Sequence, residues 1–221
     1  MTASQTIYGR RPVEEAERGR RRRVQRVWRA PETSPEELER LCGSPDHQGV
    51  VAEVDPYPYA DPSGLLRRED ALLVALDQVQ DPRNLGAVCR SAELAGAAGV
   101  VIPERRAAEV TAVTCKASAG AVEHLEVAHV RNLADWLSEA KAAGFWIWGA
   151  DANADNAPWD VDLGGPTVLV VGGEGKGIRP RVASACDGLV AFPRVGQIES
   201  LNVSAAATAL LFEAVRQRSA R

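Results

Sequence analysis

Residues 72–102 read L-L-V-A-L-D-Q-V-Q-D-P-R-N-L-G-A-V-C-R-S-A-E-L-A-G-A-A-G-V-V-I. Leu72–Leu76 is an unbroken apolar run, the pattern of a strand buried on both faces. Asn84–Ala97 is alanine-rich with apolar residues at helical spacing, and Gly99–Ile102 returns to a short apolar run. The alternation continues with strands at Leu125–Val130, Phe145–Gly149, Thr167–Val171 and Leu189–Phe192. Helices fall over Leu133–Ala143 and Leu201–Gln217. Strands and helices in turn imply an α/β fold whose mostly parallel sheet is covered on both faces.

Upstream the alternation is shorter. Strands are expected near Thr6–Tyr8, Val24–Trp28 and Gly49–Val54, with helices after Pro12 and over Pro35–Leu41, each opened by a proline. Between the two regions, D55-P-Y-P-Y-A-D-P-S-G64 carries three prolines and one glycine, a composition that resists helix and sheet. The chain therefore divides into residues 1–55, a linker over 56–70, and residues 71–221.

Composition narrows the classes. Of 221 residues 45% are hydrophobic, enough for a substantial core. No run approaches the roughly 18 apolar residues of a membrane helix. The start lacks an apolar signal-peptide segment, so a cytoplasmic protein is expected. Cys42, Cys89, Cys115 and Cys186 are scattered, with no C-x-x-C pair and no histidine at ligand spacing. They read as small core residues, and no metal site is expected. The net charge of -4 conceals an asymmetry: residues 1–30 hold nine arginines against three glutamates, +6, which leaves -10 elsewhere. A cationic block on an acidic chain suits a polyanion, and arginine suits phosphate, so RNA is the expected partner.

Three loops follow strands, where open α/β sheets bind ligands. In the first, Pro82 and Asn84 are expected to shape a turn and cap the helix, and Gly86 permits a close approach. Arg90 lies among apolar neighbours on that helix, so its charge calls for a partner. The second loop has four glycines in G172-G-E-G-K-G177. Its spacing matches neither a Walker loop nor a dinucleotide fingerprint, and the carboxylate of Glu174 suits hydroxyls or a positive centre better than phosphate. The third, F192-P-R-V-G-Q-I-E-S-L-N-V-S204, joins a strand end to a helix start that Ser200 or Asn202 can cap.

Together these segments resemble the three ordered motifs of the SpoU (TrmH-type) RNA ribose 2'-O-methyltransferases: N84-L-G-A-V-C-R-S-A92, L169-V-V-G-G-E-G-K-G177 and Phe192–Ser204. I7-Y-G-R-R-P-V13 through H47-Q-G-V-V-A-E-V54 is similar to the small L30e-like substrate-binding domain of the bacterial 23S ribosomal RNA guanosine 2'-O-methyltransferases. The resemblance implies a SPOUT-type trefoil-knotted α/β domain that works as a homodimer and takes S-adenosylmethionine. It implies that Gly172, Phe192 and Leu201 hold the cofactor, largely through their backbone, while Gly173, Gly175 and Gly196 keep the loops close to it. Arg90 becomes the leading catalytic residue, with Asn84, Glu174, Ser200 and Asn202 beside it.

The implied reaction moves a methyl group from a sulfonium to a ribose 2'-hydroxyl. A guanidinium stays protonated up to about pH 12, so Arg90 fits a phosphate clamp and alkoxide stabiliser better than a base. Asn84 would orient Arg90 or the ribose, Glu174 would order the pocket, and Ser200 with Asn202 would meet the RNA. The L30e-like segment favours 23S ribosomal RNA. A tRNA ribose 2'-O-methyltransferase and a non-catalytic dimeric RNA-binding protein are the alternatives.

Overall fold

Because successive side chains of a strand point to opposite faces, Leu72, Val74 and Leu76 enter one core while Leu73 and Ala75 enter another. The structure, a computed structural model, describes residues 4–175, 177–197 and 200–221. Lys176 of the glycine loop and Ile198 and Glu199 of the third motif lie outside the described residues.

The N-terminal unit comprises β1 (Gln5–Tyr8), α1 (Arg10–Gly19), β2 (Val24–Arg29), α2 (Pro35–Cys42) and β3 (Val50–Val54). Its strands form an antiparallel three-stranded sheet in the order β1-β3-β2. Then follow α3 (Pro62–Leu65), β4 (Leu72–Asp77), α4 (Pro82–Leu94), β5 (Gly99–Pro103), α5 (Ala112–Ala117), β6 (Glu126–Val130) and α6 (Leu133–Ala142). The chain closes with β7 (Trp146–Ala150), β8 (Thr167–Gly172), α7 (Pro180–Ala183), β9 (Gly188–Val190) and α8 (Val203–Ser219). The large sheet runs β6-β5-β4-β8-β7-β9 with every neighbouring pair parallel. The expected α/β class and parallel sheet are therefore present.

Residues of α4, α5, α8 and the N-terminal unit fill the core on one face, and those of α3, α6 and α7 fill the other. Ile7, Val13 and Val54 belong to the same core as Leu76 and Leu210, so the two units share one interior. The proline-rich connector is docked. Tyr57 is buried and its hydroxyl donates to the carbonyls of Val122 (3.1 Å) and Leu125 (2.9 Å). Tyr59 stacks on His129 at 3.7 Å between ring centroids. Proline fixes the backbone of this stretch, and its aromatic side chains hold it to the sheet.

Candidate functional site

The strands β4 and β8 pair along their whole length, and the last pair is Asp77 with Gly172. The loops that follow them, 78–81 and 173–177, therefore leave the sheet side by side. Their packing demands glycine. A Cβ at Gly172 would overlap the backbone of Gly177, and one at Gly173 would overlap the carbonyl oxygen of Gln78. Gly175 and Gly177 take φ of +78° and +61°, which L side chains rarely adopt. An antiparallel bridge between Gly173 and Gly177 folds the loop back on itself.

Asp77 holds that loop at both ends. Its carbonyl accepts from the Gly173 N–H at 2.9 Å. Its fully buried carboxylate accepts from the Arg179 N–H at 2.7 Å and from the Arg179 Nε at 2.8 Å. Sequence reasoning passed over Asp77, although one acidic residue closing an apolar strand is itself a signal. A buried carboxylate must be paired.

The helix α4 begins earlier than the sequence suggested. Asp81 is its N-cap, accepting from the Arg83 N–H at 2.8 Å, with Pro82 in the first turn. Asn84 is thus inside the helix rather than its cap. Its side-chain amide donates instead to the Glu174 carboxylate, joining the first motif to the second. The close approach allowed by Gly86 is made by α5, because a Cβ there would lie 2.6 Å from the Ala117 methyl. Arg90 is exposed, and among the described residues no hydrogen bond or ion pair meets it, contrary to the expectation of a partner. The reason is its face: Leu85, Val88, Cys89 and Ala92 point inward, while Arg90 points to water.

The third motif reaches the first through helix packing. The helix α8 lies against α4, and the Ser91 and Thr208 hydroxyls are hydrogen-bonded at 2.7 Å. Asn202 is the N-cap of α8, its Oδ1 accepting from the Ser204 N–H at 2.8 Å and the Ser204 hydroxyl at 2.6 Å. Ser200, Leu201 and Gly196 are exposed, whereas Phe192 is half-buried against the core. The structure bonds Asn84 to Glu174 and seats Gly172 and Gly173 beside Asp77. Arg90 stands on the outer face of α4, and Asn202 serves its own helix.

The basic N-terminal block is not all available to a partner. Arg22 is buried and pairs with buried Glu123 at 2.6 Å. Burial works against its charge, but hydrogen bonds to Glu123 and proximity to Cys115 and Glu123 leave its pKa raised. Arg18 pairs with Glu15 at 3.0 Å and Arg29 with Glu17 at 2.8 Å. A count of arginines by sequence overstates the cationic surface, since partners at Glu123 lie far along the chain. The described cysteines are free, and burial pushes Cys89 and Cys115 up to about 12 and about 11, which keeps them as inert thiols. Among the described residues no group of three or more His, Cys, Asp or Glu is placed to hold a metal, and no helix is long and apolar enough to cross a membrane.

Comparison with known proteins places these segments in a family. Residues 71–212 match the SpoU rRNA Methylase family, and residues 29–60 match the RNA 2'-O ribose methyltransferase substrate binding domain. An uncharacterized tRNA/rRNA methyltransferase of Mycolicibacterium vanbaalenii is 46% identical over 187 residues, 82% of this chain and 60% of the relative. The chain thus spans about three fifths of that relative's length. The putative TrmH family tRNA/rRNA methyltransferase YacO of Bacillus subtilis is 44% identical over 178 residues, 78% of this chain and 72% of the relative. The crystal structure of the SpoU methyltransferase AviRb from Streptomyces viridochromogenes in complex with AdoMet superposes with a TM-score of 0.84. It shares 29% identity and covers 98% of this chain and 91% of its own.

Proposed function

This chain belongs to the SpoU rRNA Methylase family, and from that premise we propose that it methylates a ribose 2'-hydroxyl of RNA with S-adenosylmethionine as donor. The observation that carries the reading is the Asn84–Glu174 hydrogen bond, which ties the first motif to the glycine loop. The residues fit such a cofactor. Among the described residues nothing lies within 4 Å of a Cβ built on Gly175, Gly177 or Gly196, so backbone there is open to a ligand. Leu201 offers apolar surface at 54% exposure, and Glu174 supplies an exposed carboxylate near which a positive sulfur is favoured. When bound, the cofactor supplies a methyl group made electrophilic by its sulfonium.

The protein's own part is positioning and electrostatics. Asn84 fixes the Glu174 carboxylate through its amide. Arg90, free on the outer face of α4, clamps the phosphate beside the target ribose and stabilises negative charge at the 2'-oxygen. The Ser200 hydroxyl meets the RNA, since the Asn202 carbonyl oxygen is already committed to the cap of α8.

Residues 1–55 present the RNA, 56–70 connect, and 71–221 carry the transfer. The match of residues 29–60 to an RNA 2'-O ribose methyltransferase substrate binding domain supports an RNA-presenting role for the N-terminal unit, and the reading takes 23S ribosomal RNA guanosine as the substrate, with a tRNA ribose as the alternative. The reading includes a homodimer, supported by apolar side chains left exposed on the paired helices, Leu94 at 72% and Phe212 at 42%. It also includes a trefoil knot, supported by the return of the chain from edge strand β9 to α8 on α4 and β8. The test is transfer of tritiated methyl from S-adenosylmethionine into total RNA from a strain lacking the gene, followed by mapping of the 2'-O-methylated nucleotide. One labelled position in 23S ribosomal RNA is expected. Label in tRNA would move the substrate, and absence of both label and calorimetric cofactor binding would leave a non-catalytic RNA-binding protein.

A further inference from the structure

A cleft of about 930 Å³ opens at the carboxyl ends of β4, β5 and β6, next to the glycine loop that follows β8. Five arginines line it, Arg105, Arg106, Arg131, Arg179 and Arg181, against three carboxylates, Glu104, Asp135 and Glu139. Arg179 is held by Asp77 and Arg181 by Asp135, each at 2.7 Å. Arg105, Arg106 and Arg131 are exposed and form no ion pair among the described residues.

Their proximity follows from the sheet register. Pro103 pairs with Val130, so Arg105 and Arg131 each leave the sheet within two residues of neighbouring strand ends. Like charges on adjacent loops repel, and this arrangement sits in the part of the chain whose net charge is -10. Arg106 and Gln78, both lining the cleft, hold φ of +58° and +61°, a conformation uncommon for residues with a Cβ. Strain of that kind clusters at ligand sites. The cleft is also continuous with the glycine loop. Gln78 packs against Gly173, and Arg179 bonds Asp77.

We propose that this cleft is an RNA-binding subsite in which Arg105, Arg106 and Arg131 grip backbone phosphates of the strand flanking the methylated nucleotide. The proposal rests on the RNA methyltransferase reading above. Guanidinium forks match phosphate oxygens bidentately, and each neutralised phosphate releases counterions. The N-terminal block, with Arg22 buried and Arg18 and Arg29 paired, is then a second contact.

The test uses the full chain and a short fluorescein-labelled single-stranded RNA of mixed sequence, titrated by anisotropy over a range of salt. Arg105→Ala with Arg131→Ala is expected to weaken binding about tenfold or more. It should also shrink the log–log salt slope by about 1.4, two phosphates at about 0.7 each. Calorimetric affinity for S-adenosylmethionine and the melting temperature should stay at parental values. Should the alanine pair unfold, Arg105→Gln with Arg131→Gln removes the same charges and keeps polar side chains. Unchanged RNA affinity and salt slope in a folded variant would overturn the proposal. So would a parental cleft that takes polyglutamate in preference to the RNA, which would point to an acidic protein. If the parent binds no S-adenosylmethionine yet loses RNA through the cleft variant, the methyltransferase reading fails and the subsite stands.

Discussion

At Arg90 the side chain stands in water with no protein partner among the described residues, which suits a group that waits for a phosphate. Arg90→Ala is expected to lower methyl transfer about 100-fold or more, the scale of losing one preorganised charge donor. Cofactor affinity should stay within about threefold. Tritiated-methyl incorporation beside calorimetry separates the two, and activity retained within tenfold would count against the role. Asp77 is the opposite case, a buried carboxylate that acts on the site through the loop it holds. Asp77→Asn keeps the shape and removes the charge that accepts from Arg179 at 2.7 and 2.8 Å. A loss of about 2 kcal/mol in urea unfolding is expected, the range for hydrogen bonds to a charged group. Weaker S-adenosylmethionine binding should accompany it, because the glycine loop is then less fixed. Asn84 and Glu174 could be picked out from the sequence as site residues, but their bond could not, since it spans 90 positions and depends on where α4 begins.

The elements were more legible than their ends. Continuous apolar runs revealed β4, β5 and β8, because strands of a parallel sheet are buried on both faces. The short helices α3, α5 and α7 left no periodic signal, having only 4, 6 and 4 residues. The glycine loop was legible as an element for a physical reason, since only glycine fits where backbone meets backbone. Its four glycines nevertheless do different work. Gly172→Ala forces a methyl group into the Gly177 backbone. It should cost about 1–3 kcal/mol, as overpacking does, and abolish cofactor binding. Gly175→Ala meets nothing within 4 Å among the described residues but must hold φ of +78°, a cost of about 1 kcal/mol. Melting temperatures should therefore fall further for Gly172→Ala than for Gly175→Ala.

At the scale of the whole molecule, the buried Arg22–Glu123 pair joins the N-terminal unit to the turn that precedes β6 at 2.6 Å. Glu123→Ala strands a buried guanidinium and should cost about 3–5 kcal/mol. Faster hydrogen exchange in residues 5–54 would report the loosened unit. Replacing both partners with apolar residues should recover much of that loss. The proposed dimer makes a separate prediction. Leu94→Glu with Phe212→Glu places charge on the exposed apolar face of α4 and α8, and light scattering should then find half the parental mass. A parent that already runs as a monomer would refute the assembly. The α/β class, the succession of strands, the longer helices and the three loops of the site were legible in the sequence, because apolar periodicity and glycine requirements are local properties. Only the tertiary structure decided which charges are free and which are used internally. Arg22, Asp77 and the arginines of the strand-end cleft acquire their roles from neighbours distant in sequence. Pairing and burial are set by packing, and chain position does not record them.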